Sequence, residues 1–131
     1  ATPVQQVALE NDVVQGHCGY RPEPARLAAI VAAQRARDAR MAQTMDAVAG
    51  LVVLIAGVGH VRADRAVPRY LAAPAQALVI AMVEVVTDHS RATDYDSTGA
   101  DVLWFTARGQ ARTDPCAAPL PGLAAPSSLR P

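Results

Sequence analysis

Apolar and polar positions alternate in blocks along the 131-residue chain rather than residue by residue. From Leu51 to Gly57 seven consecutive residues carry no polar side chain, and a Val- and Ile-rich run bounded by glycine reads as a strand buried on both faces. Two further apolar runs, 77–86 and 101–106, read as strands of the same sheet, with 77–86 expected beside 51–57. Upstream, a weak stripe of Val4, Val7, Ala8 and Val14 predicts a short helix ended by Gly16. The longest helix is expected over 24–48, with Pro24 in its first turn and Gly50 just past its end. Together these elements predict an α/β fold: a partial mixed sheet of about three strands (51–57, 77–86, 101–106) beside a long helix (24–48).

The pattern inside the long helix carries chemistry. Leu27, Ile30, Val31, Met41, Met45 and Val48 form its apolar stripe, but at 100° per residue Gln34 and Asp38 fall within that stripe and Arg37 on its flank. Burying an unpaired carboxylate costs several kcal/mol, so Asp38 needs a partner, with Arg or His the obvious type. A structural ion pair and the wall of a site are equal readings of this pattern.

The run 51–57 ends in Gly57, Val58, Gly59 and His60, which puts an imidazole just beyond the carboxyl end of the expected strand, where open α/β sheets hold ligands. Arg62, Asp64, Arg65 and Tyr70 follow closely, in a polar loop leading into a short helix near Pro68. A second chemical cluster, His17, Cys18 and Tyr20, lies in a loop forced by Gly19, Pro22 and Pro24. His89 and Tyr95, in the Asp-, Ser- and Thr-rich stretch 87–100, read as solvated. The stretch 117–131 has no core pattern and is expected to be disordered or draped on the surface.

Composition narrows the options. With 51% hydrophobic residues but only 4% aromatics, the core must be built from Ala, Val and Leu. Net charge is zero, so no basic patch recruits nucleic acid. All twelve basic residues are Arg, which excludes Schiff-base and P-loop lysines. Arg62 stands where a dinucleotide GxGxxG pattern begun at Gly57 needs its third glycine, and GxSxG and HExxH motifs are absent. No apolar stretch approaches the roughly twenty residues of a membrane-spanning helix, and no signal peptide is evident. Cys18 and Cys116 form no CxxC pair; they read as buried free thiols in a reducing compartment, or as a disulfide joining the start and end of the fold in an oxidising one.

Four segments in order, HCG at 17–19, QRARDARMA at 34–42, LIAGVGHVRADRAVP at 54–68 and DVLWFTARGQARTDPC at 101–116, resemble the carboxyl-terminal portion of the ChaN-like haem-binding proteins, with the erythromycin esterases, TraB and Tiki proteins as distant relatives. The resemblance implies that 1–116 is the carboxyl-terminal part of a ChaN-like α/β domain and 117–131 a tail. It implies haem as the cofactor in bacterial haem or iron uptake, a cell-envelope or periplasmic location often as a lipoprotein, and a pocket shared between protomers. Haem iron takes His or Tyr as axial ligand, so His17, Tyr20, His60 and Tyr70 are the candidates for haem binding, with His60 and Tyr70 expected at the metal. Arg62 or Arg69 suits a propionate, and Gln34, Arg37 and Asp38 complete the expected wall.

The sequence departs from the family pattern at Val58, where Asn is usual, and at Ala66, where Gly is usual. The family's amino-terminal portion, with a Gly-Glu-x-His-type motif and the first strands, is not seen. The expectation is therefore that a further segment, a second copy or another chain completes the sheet and pocket. Two other functions fit the residues: a Tiki- or esterase-like hydrolase, with His60 as base or metal ligand oriented by Arg37 and Asp38, and an inactive structural module in which His60 and Asp38 tie helix to sheet.

Overall fold

The computed structural model describes residues 2–109, 114, 116 and 117, so the expectation for the tail falls almost wholly outside the described residues. Two helices open the chain. Helix α1, Pro3–Gly16, is started by Thr2, whose hydroxyl accepts from the Gln5 amide while the Gln5 side chain accepts from the Thr2 amide. This reciprocal cap satisfies two otherwise orphaned donors. Helix α2, Pro24–Asp46, has Pro24 in its first turn. It stops two residues before the expected 48, and Gly50 follows at φ +89°, a backbone conformation that favours glycine.

α1 and α2 pack through one small apolar cluster. Leu9 and Val13 of α1 meet Leu27 and Val31 of α2, with Ile30 at the edge. The i, i+4 spacing within each pair explains the contact. Of the expected stripe on α2, Leu27 and Val31 are buried, and farther along the helix Ala42 and the carboxylate Asp38 are buried too, whereas Val48 lies beyond the helix and is exposed. Val67 and Pro68, in a short 3-10 turn at Val67–Tyr70, add a second buried patch beside Ala66.

The sheet has two strands among the described residues. β1, Ile80–Glu84, and β2, Val102–Thr106, pair in parallel with Ile80 opposite Val102, Met82 opposite Trp104 and Glu84 opposite Thr106. Parallel strands require a long crossover, and here it is the stretch from Val85 to Asp101. That stretch is more ordered than its polar composition predicts. Tyr95 accepts from the Val86 amide, donates to the His89 carbonyl, and packs edge-on against His89 and Phe105.

The expected first strand is a correction. Residues 51–57 form no strand, although inward and outward positions alternate with the period of an extended chain. Leu51, Val53 and Ile55 face solvent, Leu51 and Ile55 almost completely at 96% and 92% exposed. Residues 51–54 and 76–80 line one cavity of about 360 Å³, and among the described residues no ladder hydrogen bonds join the two segments. An apolar run becomes a strand only when a neighbouring backbone supplies partners. One exposed sheet face, Ile80, Met82, Val102 and Trp104, is likewise apolar, with Met82 73% exposed.

Polar bonds join the helices to the sheet side. The Ala63 amide donates to the Gly99 carbonyl at 2.8 Å, and Arg62 donates to Asp64 and to Asp96. Arg65 grips Asp12 of α1 with two bonds and also meets Asp64. A disulfide between Cys18 and Cys116, 98 residues apart, ties the loop after α1 to the chain beyond β2.

Candidate functional site

The buried carboxylate of α2 fixes the site. Asp38 is 1% exposed, and its Oδ1 lies 2.6 Å from Nδ1 of His60. With an acceptor carboxylate there, Nδ1–H donates and Nε2 keeps its lone pair in the neutral ring. His60 sits on a single helical turn, α3 at Val58–Val61, entered through Gly57, and its side chain remains 29% exposed. Burial pushes the Asp38 carboxyl above its usual range, while the bond and charge of His60 pull it down.

His17 is oriented in the same way by a different acceptor. It caps the end of α1, and its Nδ1–H donates to the Val13 carbonyl at 2.6 Å. Its Nε2 is again the unengaged nitrogen. The turn that presents it is held by amides of Cys18 and Gly19 donating back to Gln15 and Val14, with Cys18 at φ +57° and Gly19 at φ +79°. His17 and His60 line one cavity of about 270 Å³ together with Gln34 and Asp38. Leu9, Val13 and Val31 give it an apolar floor, and Asp12 an acidic edge.

Four of the residues singled out in the sequence are thus brought together: His17, Gln34, Asp38 and His60. The others are placed elsewhere. Arg37 is exposed and donates to Gln34 Oε1 at 3.2 Å rather than to Asp38. Tyr20 is half-buried, its amide donating to the His17 carbonyl, but its side chain does not line this cavity. Tyr70 lines a separate cavity, where its hydroxyl accepts from Arg35 Nε at 3.3 Å.

Arg62 is committed to Asp64 and Asp96, and these bonds hold its guanidinium firmly protonated. Asp64 is lowered by Arg62 and Arg65 in spite of its burial, and Asp96 is held at about 2 by bonds from Thr98 and Arg62. Asp12 was not singled out from the sequence. The available signal was its position four residues before Gly16 on the α1 face that reaches His17.

Two imidazoles with engaged Nδ1 and free Nε2 make a donor set suited to a borderline metal such as iron. Among the described residues no group of three or more His, Cys, Asp or Glu forms a closed metal site, so any metal here needs ligands from outside that set. A haem iron, already held by its macrocycle, has that character.

No curated protein matches the chain, and neither does any solved structure. Residues 1–71 match a protein family described as haem-binding uptake, Tiki superfamily, ChaN. The match spans α1, α2 and the His60 turn, and so every residue that lines the His17–His60 cavity; the resemblance noted at 101–116 lies outside it. More than half of the chain is covered, and the chain belongs to the ChaN family of haem-binding uptake proteins in the Tiki superfamily.

Proposed function

We propose that this chain binds haem without catalysing a reaction, at the cavity between α1, α2 and the His60 turn, in haem or iron uptake. The observation that carries the reading is the Asp38–His60 pair. A carboxylate bonded to Nδ1 orients the ring and raises the basicity of Nε2, which is how proteins prepare an axial ligand. His60 is the proposed ligand, and His17, which lines the same cavity, would supply a second nitrogen donor. Tyr70 stays a candidate only for haem seated in the neighbouring cavity.

The fit is partial in a way that bears on assembly. The cavity's 270 Å³ lies below the about 300–1,000 Å³ of pockets that enclose a drug-sized ligand, and a haem macrocycle is larger than this space. This chain would hold one edge of the macrocycle and its iron. Exposed Leu51, Val53, Ile55, Met82 and Trp104 mark a surface that a second copy or a further segment would cover. Completion of the pocket by that added chain fits both observations.

A cell-envelope location agrees with the Cys18–Cys116 disulfide, because such bonds persist in oxidising compartments. No helix among the described residues is long and apolar enough to cross a membrane.

The same Asp–His pair favours one alternative, a hydrolase in which His60 serves as general base. Both cysteines are engaged in the disulfide, so a thiol nucleophile is not available to it. Titration of the protein with haem, followed in the Soret region, tests the proposal: a saturable shift is expected, and no shift at excess haem contradicts it.

A further inference from the structure

A second, smaller cavity lies between the first turn of α1, the middle of α2 and the 3-10 turn at Val67–Tyr70. Its volume is about 120 Å³, and its lining is Gln5, Leu9, Arg35, Arg65, Arg69 and Tyr70. Three guanidiniums in so small a space repel one another unless anions compensate. Among the described residues only Arg65 of the three has carboxylate partners, Asp12 and Asp64. Arg35 has the Tyr70 hydroxyl as its partner, a neutral acceptor, and Arg69 has no carboxylate partner among the described residues.

The remaining groups are also donors. The Tyr70 oxygen accepts from Arg35, which leaves its own O–H free to donate. Gln5 uses one side-chain N–H on the Asp64 carbonyl and has a second. Gln5 also belongs to the first turn of α1, a 14-residue helix, so the positive end of that helix's dipole borders the cavity. Arg35, Arg69, Tyr70 and Gln5 therefore offer donors and uncompensated positive charge to one space.

We propose that this cavity binds a small oxyanion, a phosphate or carboxylate group, held between the Arg35 and Arg69 guanidiniums with the Tyr70 hydroxyl as a further donor. Planar guanidiniums match the paired oxygens of either group. Leu9 lines this cavity and the His17–His60 cavity alike, so an anion here would be separated from that site by one buried side chain. The proposal does not depend on haem binding, and the protein is tested without haem.

The test is a titration of the whole chain at pH 7 with sodium phosphate and, separately, sodium acetate, each against sodium chloride at equal ionic strength, following the arginine Nε–H resonances. The expected result is a saturable shift of the Arg35 signal with phosphate, acetate or both, and none with chloride. Saturation by phosphate alone assigns the phosphate class, and saturation by acetate alone the carboxylate class. Arg69→Met should weaken binding at least tenfold, whereas Arg21→Met, on the α1–α2 loop, should leave it unchanged. Arg69 is exposed, so this variant is expected to keep the wild-type far-UV circular dichroism, and Arg69→Lys should recover part of the affinity. A linear response to all three salts, or equal affinity in wild type and a folded Arg69→Met, would overturn the proposal.

Discussion

Asp38 Oδ1 lies 2.6 Å from His60 Nδ1, and this bond joins the middle of α2 to the only helical turn between Gly57 and Arg62. It satisfies the one buried charged side chain among the described residues. Removing His60 would strand the buried Asp38, whereas removing Asp38 would not strand His60. His60 is partly exposed and can turn to water, so the loss on Asp38→Ala is expected to be about 1.5–3 kcal/mol, the range for a hydrogen bond to a charged group. Urea unfolding monitored by far-UV circular dichroism measures it.

The pH dependence of that pair has a definite sign. Burial raises the folded-state Asp38 carboxyl above its unfolded value of 3.8, so the folded state binds the proton more tightly than the unfolded one. The stability this contributes is complete below pH 3.8 and is lost as pH rises through the folded value. Wild-type stability measured relative to Asp38→Asn should therefore fall as pH rises above 3.8. A relative stability that climbs over the same window would show that His60 outweighs desolvation.

Asp96 behaves in the opposite sense. Thr98 and Arg62 hold it at about 2, so its contribution is present above 3.8 and is lost as pH falls through about 2. Arg62→Gln should move the Asp96 carboxyl upward but not fully to its ordinary value, because the Thr98 bonds remain. A carboxyl-detected NMR titration reads both proteins directly.

Gly99 marks where the crossover loop is pinned. Its φ is +77°, and an added Cβ would lie 2.5 Å from Asp64 Oδ1 and 3.3 Å from the Ala63 amide nitrogen. Gly99→Ala is expected to cost at least the about 1–2 kcal/mol of a left-handed residue with a Cβ. A thermal melt should show the loss, and an unchanged midpoint would mean that the loop can be released from Ala63 without consequence.

The Cys18–Cys116 bond closes a 98-residue separation, and removal of a native disulfide typically costs about 2–5 kcal/mol. The double substitution Cys18→Ser with Cys116→Ser should lower stability within that range, as should reduction of the wild type. Equal unfolding midpoints with and without reductant would exclude the link as a source of stability.

Periodicity within one helix was legible, and so were the two apolar runs that hold β1 and β2, but the pairing was not: 77–86 was expected beside 51–57, and its strand pairs with β2 instead. Asp38 could be placed inward from the 3.6-residue repeat, and the cost of burying it demanded a partner of the His60 or Arg type. The run 51–57 shows the limit. Its apolar content is compatible with a strand, but a strand is defined by hydrogen bonds to a neighbour, and no neighbour is paired with it among the described residues. Tyr70 and Arg62 are close to His60 in sequence, yet the chain turns each into a different cavity, an outcome set by Arg35 and by Asp64 and Asp96. The two cysteines left a choice between thiols and a bridge because spacing alone does not give separation in space.

If Asp38 orients His60 for haem iron, as proposed, haem titration of wild type, Asp38→Asn and His60→Ala will separate the three proteins. Loss of an orienting partner typically costs 10–100-fold in metal affinity. The expected result is a Soret shift in the wild type, about 10–100-fold weaker binding in Asp38→Asn, and a changed Soret position in His60→Ala. Identical affinity and identical Soret maxima in all three folded proteins would contradict it.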